Sequence, residues 1–527
     1  MRTESGFMSR DRMLERAMQM RPWDVIVVGG GCTGIATALD ATGRGYRTLL
    51  VERGDFTGGT SSRSTKLIHG GVRYLRQGRV QMVYGALRER HRLWRNAPHL
   101  VDSLPLVVPA YRWWERPYYG VGLMVYDALA GRRGLGRSRV VGKRECGRRI
   151  STLERRKLRG GVLYHDGQFD DARLGWTLLR TAANFGAVVV NYTEAVALRA
   201  SRGRVKGLQL RDRIGGDQWV ALGAVVINAT GPSADAVRGL DDARNGSGVV
   251  LSRGAHIVVS SAFLPGDTAV LVPSTDDGRV LFAIPWHGHV LIGTTDVPVP
   301  EPVSEPVPTA AELDYLTDHA SRYLTRPLAR SDILSAWAGL RSLAAVDAGA
   351  GDTATLSRDH AVSVSRRGLV TVVGGKWTTC RKVGQDAVDV AAEVAGLSPA
   401  PSVTARLRVH GYSRRKAVRA PWKVYGSEAG AVRAMEAADE NLAALMHPSL
   451  PYRMSQAAWA ARHEMAARVE DVLARRTRTL FLNARAALAA APAVARAMAA
   501  ELGHGESWVE EEVRSFRELA RRYLPAG

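Results

Sequence analysis

The sequence predicts an α/β protein: a Rossmann-like dinucleotide-binding domain with an inserted β-rich domain, followed by a C-terminal all-α domain. Three observations predict it. A glycine-rich turn joins an apolar run to an alanine-rich helical stretch near residue 30; β-branched runs punctuated by turn residues fill 251–296; and past about residue 410 strand signals vanish while Ala, Arg and Glu dominate. At 527 residues the chain exceeds one ordinary core, so two or three domains are expected.

Residues 1–22 read as an N-terminal extension without the apolar core region of a secretory signal. Val25 to Val28 is a buried parallel strand, followed by Gly29, Gly31 and Gly34 in G-x-G-x-x-G spacing, a helix, and a second strand, Thr48 to Val51, ending at Glu52. Gly29 permits the tight turn, Gly31 lets backbone approach a pyrophosphate, and Gly34 lets helix and strand pack closely. The helix N-terminus presents N–H groups to phosphates, and Glu52 suits a ribose 2′-OH, which disfavours NADP. Residues 80–97 are helical, with Met82, Val83, Ala86, Leu87 and Trp94 as a packing stripe. Val162 to Ala200 reads strand, helix, strand; 224–231 is a strand running into a glycine turn; and 368–396 is strand, glycine turn, helix. The segment 115–131, apolar, aromatic and flanked by arginines, is either a buried helix or a membrane contact.

Totals exclude several classes. No run of eighteen apolar residues occurs, so no spanning helix is expected. Cys32, Cys146 and Cys380 lie far apart with no C-x-x-C, which argues against disulfides, a zinc site or an iron–sulfur cluster; no metal is expected, and a reducing cytoplasm fits. The net charge of +22 favours anionic partners, but the arginines are scattered rather than striped with aromatics, so no nucleic-acid partner is expected.

The stretch "TSSRSTKLIHGGVRYL", 60–75, crowds hydrogen-bonding groups beside a glycine pair just after the second strand, where it would run beneath a bound cofactor. Together with "DGQFDDARL", "NATGPSAD", "RGAHIVV", "IPWHGHVLIGTTD", "AGLRSL" and "GGKWTTCRK", it resembles the FAD-dependent, aerobic-type glycerol-3-phosphate dehydrogenases of the D-amino-acid-oxidase-like flavoprotein superfamily. The likeness runs from about residue 23 to 395, and "YGSEAGAV" and "LARRTRTLFLNARAA" extend it into the helical tail.

The resemblance implies an FAD-dependent oxidoreductase over 23–400, with FAD-binding parts at about 23–110, 160–250 and 335–400, substrate-domain parts at about 111–159 and 251–334, and a helical domain over 401–527. It implies non-covalent FAD held by Gly29, Gly31, Cys32, Thr33, Gly34, Glu52 and Arg53. The stretch Thr60, Ser61, Ser62, Ser64, Thr65, Lys66, Leu67, His69, Gly70 and Gly71 joins them, with Ala195, Thr230, Gly231, Gly375, Lys376, Thr378 and Thr379. It implies oxidation of sn-glycerol 3-phosphate to dihydroxyacetone phosphate, with Arg73, Tyr74, His256, Arg341 and Lys376 at the substrate. A phosphate dianion needs several cations, and alcohol oxidation needs a base or an alkoxide-stabilising cation. His256 is the base candidate, Arg341 suits the C2 oxygen, and Lys376 suits the flavin N1/O2 edge. His69 reads as a positioner of backbone, Asp170 and Asp171 as a helix N-cap pair, and Cys32 as packing.

Three positions depart from the family pattern: Ser342 stands for Pro, Ser233 for Trp and Cys380 for Tyr. Loss of the proline is expected to loosen the backbone beside Arg341. The leading reading is a quinone-reducing enzyme peripheral to the cytoplasmic face of the membrane; the alternatives are an oxygen-reducing oxidase on the same fold and an FAD-containing nucleic-acid-binding or RNA-modifying protein. A homodimer is left open.

Overall fold

The computed structural model describes residues 8–75, 77–242, 248–345, 359–414 and 420–525. Its strands divide between two sheets. Trp23–Val28 and Thr48–Val51 are apolar toward both faces and pair in parallel at the centre of the first sheet, as strands covered on both sides do. Gln218–Asn228 and Val370–Gly374 extend it in parallel on one side, Val188–Val190 on the other. Helix Cys32–Gly43 packs against helices Asp171–Asn184 and Cys380–Ala395. Gly34 is required there: a Cβ at that position would stand 1.8 Å from the carbonyl oxygen of Gly29.

The second sheet has Val249–Ser260 at its heart, with His289–Gly293 antiparallel on one edge and Ser335–Ala344 on the other. It continues through Leu281–Trp286, Ala269–Val272, Val101–Ala110 and Gly160–Phe169. Val101–Ala110, Gly160–Phe169 and Ser335–Ala344 belong to the second sheet, although their sequence positions lie within the expected FAD-binding parts. An apolar run encodes burial, whereas the partner strand is set by long-range register.

Among the described residues no strand follows Gly374; helices Met454–His463, Ala484–Leu502 and Glu506–Arg521 dominate the tail. Their core is continuous with Val258, Trp286, Leu291 and Trp337 on the second sheet, so the helical domain grips the oxidoreductase part through a shared apolar layer. The N-terminal extension is docked too. Helix Arg10–Ala17 packs on Val188–Val190, and Arg10 donates to the Asn191 carbonyl at 3.3 Å and pairs with Asp212; residues 1–7 lie outside the described residues.

Segment 115–131 forms helix Glu115–Ala130. It buries Leu123, Tyr126 and Ala130 but turns Val121 and Met124, each 57% exposed, to solvent, with Trp113 just before it 75% exposed. It is thus a covering helix with one apolar face uncovered rather than a fully buried one.

Candidate cofactor and substrate site

A single cavity of about 1810 Å³ is lined from both sheets. One end is built on the glycine turn. Gly29, Gly31, Cys32, Thr33, Glu52, Arg53, Thr60, Ser61, Ala195, Thr230 and Gly231 stand on its wall. Glu52 accepts the N–H of Gly30 at 2.6 Å and of Gly54 at 2.9 Å. Burial pushes its carboxyl pKa up, and those two backbone donors oppose the shift. Ser61 Oγ accepts the Cys32 N–H at 2.8 Å, tying the hydroxyl-rich stretch to the helix start, where Gly31 supplies no side-chain cap.

The other end gathers Arg73, Tyr74, His256, Arg341 and Lys376, with Ser64, Thr65, Leu67, His69, Gly71, Gly375 and Thr378 beside them. The Tyr74 ring sits between cations: Lys376 Nζ lies 5.1 Å and the Arg73 guanidinium carbon 5.6 Å from its centroid. His256 stands mid-strand, opposite Gly293 on one side and Trp337 on the other. Only glycine fits at 293, because a Cβ there would come within 2.2 Å of the imidazole. Trp337 stacks on the His256 ring at 4.3 Å, and Thr65 Oγ1 is 3.0 Å from Nε2. The Arg341 guanidinium lies over Gly254, two residues before His256 and so on the same sheet face. It donates to the Thr295 carbonyl at 3.0 Å, Thr294 Oγ1 at 3.1 Å and Asp296 Oδ1 at 3.1 Å. Burial, then the positive charges of Lys66 and Arg341, hold the His256 pKa well below its ordinary value, so the imidazole is neutral near pH 7, as a proton acceptor must be.

Five residues expected at the cofactor lie off this wall. Gly34 packs against the Gly29 carbonyl. Ser62 turns its hydroxyl to the Gly59 carbonyl, and Gly70 donates its N–H to Tyr126 OH at 2.7 Å. Thr379 bonds the Lys376 carbonyl at 3.3 Å as the N-cap residue of helix Cys380–Ala395. Lys66 is wholly buried on the far side of its loop, where Nζ donates to Asp171 at 2.6 Å and to the Ser62 carbonyl at 2.7 Å. A buried ammonium needs a carboxylate, and the nearest one faces the helical domain. The expected N-cap pair also splits: Asp170 caps helix Asp171–Asn184 by accepting the Arg173 N–H, while Asp171 serves Ser64 and Lys66.

Sequence reasoning missed Trp337 and the Thr294–Asp296 turn that holds Arg341; "TTD" after a glycine-ended strand was the available signal for the turn. Ser342 pairs with Leu251 in the sheet ladder. Ser233 Oγ meets Arg53 at 3.5 Å, and Cys380 is buried packing.

The wall suits an extended dinucleotide. It offers a helix N-terminus at a glycine turn, a ribose-side acid and, at the far end, cations beside a Gly-Gly turn. The family model described as FAD dependent oxidoreductase matches residues 24–381, and that of the C-terminal domain of alpha-glycerophosphate oxidase matches 373–510. The mitochondrial glycerol-3-phosphate dehydrogenase of Mus musculus is 37% identical over 98% of this chain and 75% of its own length. The chain belongs to the FAD-dependent glycerol-3-phosphate dehydrogenase family. The mitochondrial relative of Arabidopsis thaliana is 38% identical over 98% of this chain and 88% of its own. The glycerol-3-phosphate dehydrogenase of Bacillus halodurans, solved with FAD, superposes with a TM-score of 0.80 at 28% identity, covering 98% of this chain and 97% of that one. As a member of this family the chain is an FAD-dependent oxidoreductase.

Proposed function

We infer that this family member oxidises sn-glycerol 3-phosphate to dihydroxyacetone phosphate and delivers the electrons to a quinone at a membrane surface. The observation that carries the first part is the placement of His256 and Arg341 on one sheet face, in a cavity whose wall also holds Arg73 and Lys376. FAD held along the glycine-turn wall would supply the two-electron acceptor for the hydride leaving substrate C2.

The chain's own residues do the rest. Arg73 and Lys376, braced about Tyr74, suit the phosphate dianion or the flavin's pyrimidine edge. Arg341, held by Thr294, Thr295 and Asp296, suits the C2 oxygen. Neutral His256, braced by Trp337 and Thr65, takes the hydroxyl proton at a ring nitrogen.

Two features support the membrane and quinone. The cavity has an apolar branch lined by Val80, Val108, Leu123, Leu271, Val280 and Phe282, and it reaches Tyr118, Val121 and Val125 on the uncovered helix face. Exposed Arg112, Arg132 and Arg137 flank that face, the combination a peripheral protein presents to anionic lipid. No helix among the described residues is long and apolar enough to cross a membrane. The reading places the enzyme on the cytoplasmic face.

The test is anaerobic titration of the FAD-loaded protein with sn-glycerol 3-phosphate, followed at about 450 nm, the oxidised-flavin band. Bleaching, reversed by a short-chain quinone faster than by air, is the expected result. Reoxidation faster in air would make the chain an oxidase, and absence of bleaching would reject the substrate.

A further inference from the structure

The loops on the cavity wall are clasped by three arginines of the C-terminal helical domain, Arg475 at the wall itself and Arg476 and Arg478 behind it. Asp55 lies three residues past Glu52, and its carboxylate is fully buried. It accepts Arg475 Nε at 2.6 Å and Arg476 Nη1 and Nη2 at 2.8 and 3.0 Å. The residues after Asp55 support the glycine turn directly. Thr57 donates its N–H to the Gly30 carbonyl at 2.9 Å, and the Phe56 ring packs so tightly that a Cβ on Gly30 would meet it at 2.6 Å.

Arg478 reaches the second cradle loop. It donates to the Ser62 carbonyl at 2.6 Å and pairs with Asp171 at 3.2 Å, beside Lys66, which bonds the same two groups. Ser61, next to Ser62, is the residue that holds the Cys32 N–H at the phosphate end. Arg476 and Arg478 are buried and do not stand on the cavity wall, so both act through other groups.

We propose that this arginine clasp is a cofactor-retention device: docking of the helical domain and binding of FAD are thermodynamically linked through Asp55 and Ser62. Undocking would strip Asp55 of both its cations and take Arg478 from the Ser62 carbonyl and from Asp171, which keeps Lys66, so the clasped geometry of both loops exists only with the helical domain in place. Because that geometry is the one that binds the dinucleotide, the coupling is reciprocal: FAD also holds the helical domain down. Arg476 and Arg478 are positioning residues, not catalytic ones.

The full-length protein tests this in two ways. Hydrogen exchange is compared with and without saturating FAD. Added FAD is expected to slow exchange in Thr479–Leu482, which does not line the cavity, while leaving Ala429–Ala438 unchanged. Equal exchange at the clasp in both states overturns the proposal, and this measurement needs no variant. In the second test, Arg476→Met is titrated with FAD by flavin fluorescence. The dissociation constant is expected to rise tenfold or more, within the usual range for coupled sites, with partial rescue in Arg476→Lys. A merely structural arginine would lower the melting temperature at saturating FAD yet leave the FAD constant unchanged, which refutes the linkage.

Discussion

Lys66 gives the sharpest test of the proton acceptor. Its Nζ lies 4.9 Å from the Trp337 ring centroid, and His256 stacks on the same ring at 4.3 Å. The ammonium and the imidazole are therefore within about 9 Å, where two unit charges at an effective dielectric of about 20 repel by about 2 kcal/mol. Burial brings the Lys66 pKa down to about 7, so Lys66 carries its charge in the acid range where His256 titrates. Lys66→Met removes that charge while Asp171 keeps Arg478 at 3.2 Å. The His256 pKa should then rise by about one unit. Since the base works deprotonated, the acid limb of kcat/KM should move up by the same amount, with the neutral plateau unchanged. The assay is the profile of kcat/KM for sn-glycerol 3-phosphate from about pH 5 to pH 8 at saturating FAD, with flavin content checked. An acid limb that stays in place, or moves down, with FAD bound refutes His256 as the base.

Four further outcomes are expected. Arg341→Ala and Lys376→Ala should each retain FAD yet lose about 10- to 100-fold in kcat/KM, the worth of a charge-assisted hydrogen bond, and loss of flavin absorbance instead would reassign the residue to the cofactor. Gly34→Ala, which sets a Cβ 1.8 Å from the Gly29 oxygen, should yield flavin-free or insoluble protein; a yellow protein with unchanged melting would contradict the packing. Hydrogen bonds to Asp359 and Asp386 raise the His360 pKa to about 9, above its ordinary value, so that stabilisation is complete below about pH 6.5 and lost as pH rises toward 9. Melting of His360→Gln should flatten over that window, where the upper bound on the wild-type loss is about 3 kcal/mol. Finally, Trp113→Ser with Met124→Asp should abolish cosedimentation with anionic vesicles while activity with a soluble acceptor persists, and undiminished cosedimentation would remove this helix from the membrane.

The nucleotide-binding half was legible because its signals are local. Gly29, Gly31, Gly34 and Glu52 lie within one strand–turn–helix–strand unit, and each is dictated by a turn, a close approach or a short hydrogen bond. The same holds for Gly375 and Lys376 at the end of Val370–Gly374. The substrate cations were legible only through the resemblance, since single arginines among the chain's 73 basic residues carry no periodicity that marks them.

What the sequence by itself determined is the order of elements, the glycine turn and the change to an all-helical tail, because propensity and patterning act over a few residues. Tertiary structure alone decided that Gly160–Phe169 and Ser335–Ala344 join the second sheet, that Trp337 rather than a neighbour in sequence braces His256, and that Lys66 turns from the cavity wall to Asp171. It also brought Arg478 to the Ser62 carbonyl across 416 residues of chain. Which sheet a strand joins and which carboxylate a buried cation finds depend on contacts closed at long range, and no local pattern encodes the partner at the far end.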